Sequence, residues 1–184
     1  MSEIVVQKFG GTSVGTVDRI DSVAEIIKNA SKSNKIVVVV SAMGGETNRL
    51  VDLAKAFGDD PDKREFDALV STGETVSSAL LTMALHSKGV KAKSFSASQI
   101  SMRTTSSYSK AKILDVDAKK ILDVVENDTI PIITGFQGVT EGGDVTTLGR
   151  GGSDTTAVAI AAQIAATRSE EHTSELQSPD HLVC

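Results

Sequence analysis

Four short segments carry residues that could do chemistry on an anion. KFGGTSV (8–14) sets a lysine, two adjacent glycines and two hydroxyls directly after an apolar run. SAMGGETN (41–48) repeats the glycine pair after a second apolar run, and STGET (71–75) puts a glycine and a carboxylate inside a helical stretch. TTLGRGGSDT (146–155) places Gly149, Gly151 and Gly152 ahead of a helix that Ser153 or Asp154 can cap. Paired glycines let backbone N–H groups come close to a ligand. Lys8 adds a full positive charge at the same place. Helix N-termini add unpaired N–H groups and a partial positive charge. Together these predict a surface for an anion, most simply a phosphate.

Several other chemistries are not supported. No glycine-rich loop ends in Gly-Lys-Ser/Thr, and no G-x-G-x-x-G follows a strand, so neither a P-loop nor a dinucleotide fold is indicated. No Cys/His cluster has metal-ligand spacing. His86 is the only histidine before residue 168 and falls at a helix end, so no Ser-His-Asp set is available. Taken singly, each candidate has a plainer role. Lys8 could flank a strand on the surface, and Glu74 could be one solvated carboxylate. Arg150 could form a surface ion pair worth less than about 1 kcal/mol, and Thr47 could be an ordinary N-cap.

The elements that must position these residues alternate along the chain. Ile4–Val6 and IVVVV (36–40) are short, β-branched and continuous, as strands buried on both faces are. VKAKSF (90–95) and TIPIIT (129–134) are weaker strands, with Pro131 at a strand start or an edge. A helix over roughly 17–31 sets Ile20, Val23, Ala24 and Ile27 on one stripe. Further helices are expected to about Phe57, over 63–87 and over 117–126. A last helix from about Ser153, apolar nearly all round, reads as internal. This alternation predicts an α/β fold, a three-layer αβα sandwich on a mostly parallel sheet. Ligands of such sheets bind beyond the carboxyl ends of the strands, where both KFGGTS and SAMGG fall.

The chain has 184 residues and a net charge of −5, which argues against broad nucleic-acid binding. No apolar run is read as approaching a membrane span, and no secretory signal is evident. The single cysteine is Cys184, which excludes a disulfide framework and fits the cytoplasm.

In their order and density the four segments resemble the aspartate kinases, of the amino acid kinase family, over residues 2–167. The resemblance implies ATP-dependent phosphorylation of the side-chain carboxylate of L-aspartate to 4-phospho-L-aspartate. That is the first step toward lysine, threonine, methionine and diaminopimelate. It implies ATP as phosphoryl donor, with Mg²⁺ carried mainly by the nucleotide and no protein metal site. Lys8 and Asp154 become the catalytic pair, Asp154 orienting Lys8. Lys8, Phe9, Gly10, Gly11, Thr12 and Ser41 become nucleotide contacts. Thr47, Glu74, Arg150 and Ser153 become substrate contacts, with Glu74 on the α-ammonium and Arg150 on a carboxylate. Partners would be L-aspartate and ATP, with the parent a homo-oligomer or α/β oligomer. Related kinases acting on acetylglutamate, glutamate or uridylate share the fold, but GRGGSDT and STGE in this form favour aspartate. A non-catalytic interaction subunit is the alternative from another class. Lys8, Glu74 and Arg150, whose loss would support it, are all present.

Two departures from the family follow. The family's kinase domain continues past residue 167 into strands that hold adenine and ribose, and two regulatory ACT domains then follow. A chain without them is expected to turn over poorly and to leave a sheet edge and one face of the last helix uncovered. Residues 168–184, RSEEHTSELQSPDHLVC, also break abruptly from the alanine-rich run before them. This tail holds two of the three histidines and the only cysteine. One arginine against Glu170, Glu171, Glu175 and Asp180 gives it −3 of the chain's −5. It resembles an in-frame translation of a common sequencing adapter, agatcggaagagcacacgtctgaactccag. The domain is therefore expected to span 1–167, with 168–184 a non-native tail.

Overall fold

The computed structural model describes residues 3–172. Strand β1 (Ile4–Phe9) is followed by α1 (Val17–Ala30), β2 (Lys35–Val40) and α2 (Glu46–Lys55). Then come α3 (Lys63–Val70), α4 (Thr72–Ser87) and β3 (Ala92–Phe95). The short strands β4 (Arg103–Thr104) and β5 (Ile113–Asp115) precede α5 (Ala118–Glu126) and β6 (Ile130–Thr134). The hairpin β7 (Gln137–Val139) and β8 (Val145–Thr147) leads to α6 (Gly152–Gln163) and β9 (Arg168–His172).

The main sheet runs β3-β6-β2-β1-β9, and every pairing in it is parallel. Its central strands bury both faces, which is why they read as unbroken apolar runs. Val38 and Val40 pack with Val5 and Phe9 against Ile20, Val23 and Ile27 of α1 and Leu81 and Leu85 of α4. Val37 and Val39 face the other way, with Val6 and Ile133, against Ile121 and Val125 of α5 and Ala157 and Ile160 of α6. The expected three-layer αβα sandwich is therefore the observed fold. Pro131 sits one residue into β6, before its pairing with β2 begins at Ile132, so its missing N–H breaks no bond of that ladder.

Five features differ from expectation. The helix expected over 63–87 breaks at Ser71 into α3 and α4. Ser71 Oγ donates to the Ala68 carbonyl and Thr72 Oγ1 to the Leu69 carbonyl, drawing those acceptors off the helical ladder. The whole 25-residue stretch Lys63–Ser87 does reach the length and apolarity of a membrane span, contrary to the sequence reading. Part of its apolar surface belongs to the core: Val70, Leu81 and Leu85 are buried, while Val76 and Met83 are exposed.

The last helix is not internal. α6 buries one stripe, including Thr156, Ala157 and Ile160, and turns Val158 outward at 64 % exposure. A second sheet, β5-β4-β7-β8, had no counterpart in the sequence reading. Finally, the fold continues past 167. Residues 168–172 form β9 and pair along β1, so β1 is flanked and β9 becomes the edge strand. Residues 173–184 of the expected tail lie outside the described residues.

Candidate active site

The chain leaves β1 through Gly10 and Gly11 and leaves β2 through Ala42–Gly45, and the two loops touch. A Cβ on Gly11 would lie 2.9 Å from the Ala42 carbonyl oxygen, and one on Gly44 3.4 Å from that of Gly11. Only glycine allows backbones this close. The third loop turns through Gly149 and Gly151, both left-handed at φ +82° and +71°, and starts α6 without a side-chain cap. Ser153 packs so closely over the end of β6 that a Cβ on Gly135 would meet its Oγ at 2.6 Å.

Between these loops lies a cleft of about 530 Å³ at the carboxyl ends of β1, β2 and β6. Lys8, Gly10, Gly11, Thr12, Ser41, Thr47, Glu74, Arg150, Ser153 and Asp154 all line it. Phe9 does not. Side chains alternate along β1, so Phe9 points into the core opposite to Lys8, where it is fully buried and stacks on the His172 ring at 4.8 Å. Only its backbone serves the site: its carbonyl accepts from the Ser41 N–H at 3.0 Å.

At one end of the cleft Lys8 is 8 % exposed. Its Nζ lies 2.6 Å from Asp154 Oδ1 and 3.1 Å from Glu171 Oε1. Burial opposes the ammonium charge, but hydrogen bonds and attraction from Asp154 and Glu171 outweigh it and raise the pKa above 10.5. Lys8 is therefore a fixed cation at neutral pH. The Gly11 N–H meets no backbone acceptor among the described residues, while that of Gly10 faces the His172 carbonyl at 3.4 Å.

In the same cleft Glu74 is 3 % exposed. Its Oε1 accepts from the Ala42 N–H at 3.2 Å, and its Oε2 has no partner among the described residues. Burial raises its pKa from 4.5 to about 7, against the opposing hydrogen bonds from its own N–H and that of Ala42. Arg150 is exposed and makes no ion pair among the described residues. The cleft thus joins a buried acceptor, an exposed guanidinium and a buried ammonium.

Several residues that hold this geometry were not singled out from the sequence. Ser77 Oγ donates to the Ser41 carbonyl at 2.7 Å and to that of Glu74 at 3.1 Å, tying α4 to the β2 loop. Gln137 donates to the Ser71 carbonyl and accepts from Thr134 Oγ1, tying the α3–α4 break to β6. Asp67, fully buried, accepts from the N–H and hydroxyl of both Ser109 and Thr147. It fixes the loop before β5 and the strand β8 that leads into the Arg150 loop. Only Asp67 carries a sequence hint, a carboxylate on an otherwise buried helical stripe.

The amino acid kinase family profile matches residues 3–173 of the chain. The chain is 53 % identical over 171 residues to an aspartate kinase of Stutzerimonas stutzeri (strain A1501), covering 92 % of this chain and 42 % of that protein. It is 52 % identical, with the same coverage, to an aspartokinase of Geobacillus stearothermophilus. Its fold matches Escherichia coli aspartokinase III in complex with aspartate and ADP (R-state) with a TM-score of 0.84 at 28 % identity. That match covers 92 % of this chain and 48 % of the other. The chain thus spans 42 % of the length of these curated relatives.

Proposed function

The chain belongs to the amino acid kinase family, and from that premise we propose that its cleft serves transfer of the γ-phosphoryl group of ATP to the side-chain carboxylate of L-aspartate. The acceptor, with a pKa near 4, is ionised at neutral pH, so the reaction needs no general base. The barrier is repulsion between two anions. Catalysis comes from positioning and from positive charge at the transferring group. Lys8 supplies that charge, Asp154 aims it, and the Gly11 N–H and Thr12 and Ser41 hydroxyls lie beside the phosphates. Mg²⁺ enters as part of the nucleotide substrate. Arg150 grips a substrate carboxylate with two parallel hydrogen bonds, Glu74 takes the α-ammonium, and Thr47 and Ser153 complete the contacts.

The observation that carries this reading is the unpaired, buried Oε2 of Glu74 in the same cleft as Lys8 and Arg150. A buried carboxylate oxygen without a partner is costly and matches a cationic ligand group. Aspartate has one, as does glutamate; acetylglutamate, whose amine is acylated, and uridylate do not, and GRGGSDT and STGE favour aspartate over glutamate. The aspartate and ADP named for the Escherichia coli neighbour agree with this choice. We extend the proposal to a cytoplasmic enzyme of lysine, threonine, methionine and diaminopimelate biosynthesis. Full turnover is assigned to a protein of its relatives' length, and the chain alone is expected to bind better than it turns over.

Calorimetric titration tests the reading. L-Aspartate is expected to bind saturably, and N-acetyl-L-glutamate and UMP are not. In a longer protein including the region downstream, hydroxylamine should trap the acyl phosphate as aspartyl hydroxamate. Binding of UMP in place of aspartate would overturn the assignment. Residues 168–184 are proposed to be adapter read-through, and genomic sequencing through codon 168 decides that point.

A further inference from the structure

Strand β9 does more than flank β1. Its register on β1 sets Gln7 opposite Glu170, Lys8 opposite Glu171 and Phe9 opposite His172. Each pair interacts. Gln7 Nε2 donates to Glu170 Oε2 at 2.9 Å, the rings of Phe9 and His172 stack, and Lys8 Nζ lies 3.1 Å from Glu171 Oε1. Directly opposed, oppositely charged residues on parallel strands meet on one face of the sheet, here the face that carries α6 and Asp154. The carbonyl of His172 then accepts from Ser13 Oγ at 3.0 Å and faces the Gly10 N–H at 3.4 Å. The end of β9 therefore lies on two of the groups assigned to phosphate, the ammonium of Lys8 and the first glycine N–H.

Lys8 needs one carboxylate to orient it, and Asp154 at 2.6 Å is that group. A second carboxylate leaves the cluster with a net negative charge, and an incoming phosphate would be repelled by the pair it must approach. The Glu171 side chain is 56 % exposed, so it can swing into solvent without opening the core.

We propose that Glu171 is an internal competitor for the nucleotide's terminal phosphate: a polyphosphate binds Lys8 only by displacing the Glu171 carboxylate. The inference rests on the reading of the cleft as a phosphoryl-transfer site, and it applies to this chain whether its last residues are native or foreign.

The test uses the 184-residue chain as wild type, Glu171→Gln, Glu171→Ala and Glu170→Gln, each titrated with Mg·ATP, with inorganic tripolyphosphate and with L-aspartate. Both Glu171 variants are expected to bind the two polyphosphates about tenfold more tightly, with aspartate affinity unchanged. Glu170→Gln makes the same charge change away from Lys8 and is expected to leave polyphosphate binding as it is. Equal polyphosphate affinity in wild type and both Glu171 variants overturns the inference. An equal gain in Glu170→Gln does so too, because it assigns the effect to net charge. Failure of every chain to bind aspartate would count against the proposed function instead, and the polyphosphate titrations still decide the role of Glu171.

Discussion

Two parts of one cleft, around Lys8 and around Glu74, are built on opposite electrostatic effects. Lys8 is buried but held between two carboxylates, and its surroundings strengthen its charge. Glu74 is buried more deeply, yet one oxygen has a single backbone donor and the other has no partner among the described residues. Its surroundings suppress its charge. A buried ionisable group keeps its charge when it is paired and loses it when it is not. Under the proposed function, the phosphate end is a cation set in advance, and the amino-acid end is an anion that forms when the ammonium of aspartate arrives.

The largest effect expected from this contrast is on stability. Burial lets Glu74 keep its proton to about pH 7 in the folded chain, against an ordinary value of 4.5. Between those values the folded state binds more protons than the unfolded state, so stability falls as pH rises through that window. The cumulative loss is about 3 kcal/mol, complete above pH 7. Glu74→Gln removes the ionisation. Urea unfolding at pH 5 and pH 8 should show the wild type losing about 2 to 3 kcal/mol more than the variant between the two, because part of the loss already falls below pH 5. Parallel pH profiles would mean that Glu74 is charged in the free chain, and the contrast between the two ends would be gone. Aspartate affinity in the wild type should rise through the same pH window, because the carboxyl must ionise to pair with the ammonium.

Next in size is Lys8→Ala. In a protein long enough to turn over, kcat should fall at least about 100-fold, or about 2.7 kcal/mol, if the ammonium stabilises the transferring phosphoryl group. Aspartate affinity should change little, since the amino-acid end does not depend on Lys8. A variant that loses aspartate binding and turnover together would merge the two ends into one.

How much of this was legible in the sequence follows from physical signal strength. β1, β2 and β6 were readable because strands buried on both faces leave continuous apolar runs, although in β1 that run stops at Val6 and the strand continues through buried Gln7 and Lys8. The glycine loops were readable because adjacent glycines are costly except where backbones must approach, as Gly11 approaches Ala42. The second sheet was not readable: β4 has only two residues, too few for any alternation to show. The break at Ser71 was hidden because hydroxyls that draw off helical carbonyls look like ordinary polar positions. Gln137 and Ser77 act through partners distant in sequence, which no local pattern reveals. Phe9 was placed in the site by its motif, while the alternation of β1 turns it away. Glu171 was set aside with the tail, so its contact with Lys8 emerged only from the pairing of β9 with β1.

Arg150 carries the smallest of these effects and sharpens the contrast furthest. It is exposed, unlike Glu74 and Lys8, so its proposed contact with a substrate carboxylate competes with water. Removing it should cost about 1.4 kcal/mol, or about tenfold. That interaction is made equally in the ground state and the transition state, because the gripped carboxylate is not the reacting one. The loss should therefore fall on KM for aspartate, with kcat nearly unchanged. Steady-state kinetics of Arg150→Ala beside Lys8→Ala then give opposite signatures from the two ends of one cleft. A fall in kcat at constant KM for Arg150→Ala would place the guanidinium on the transferring phosphoryl group and move the amino acid elsewhere.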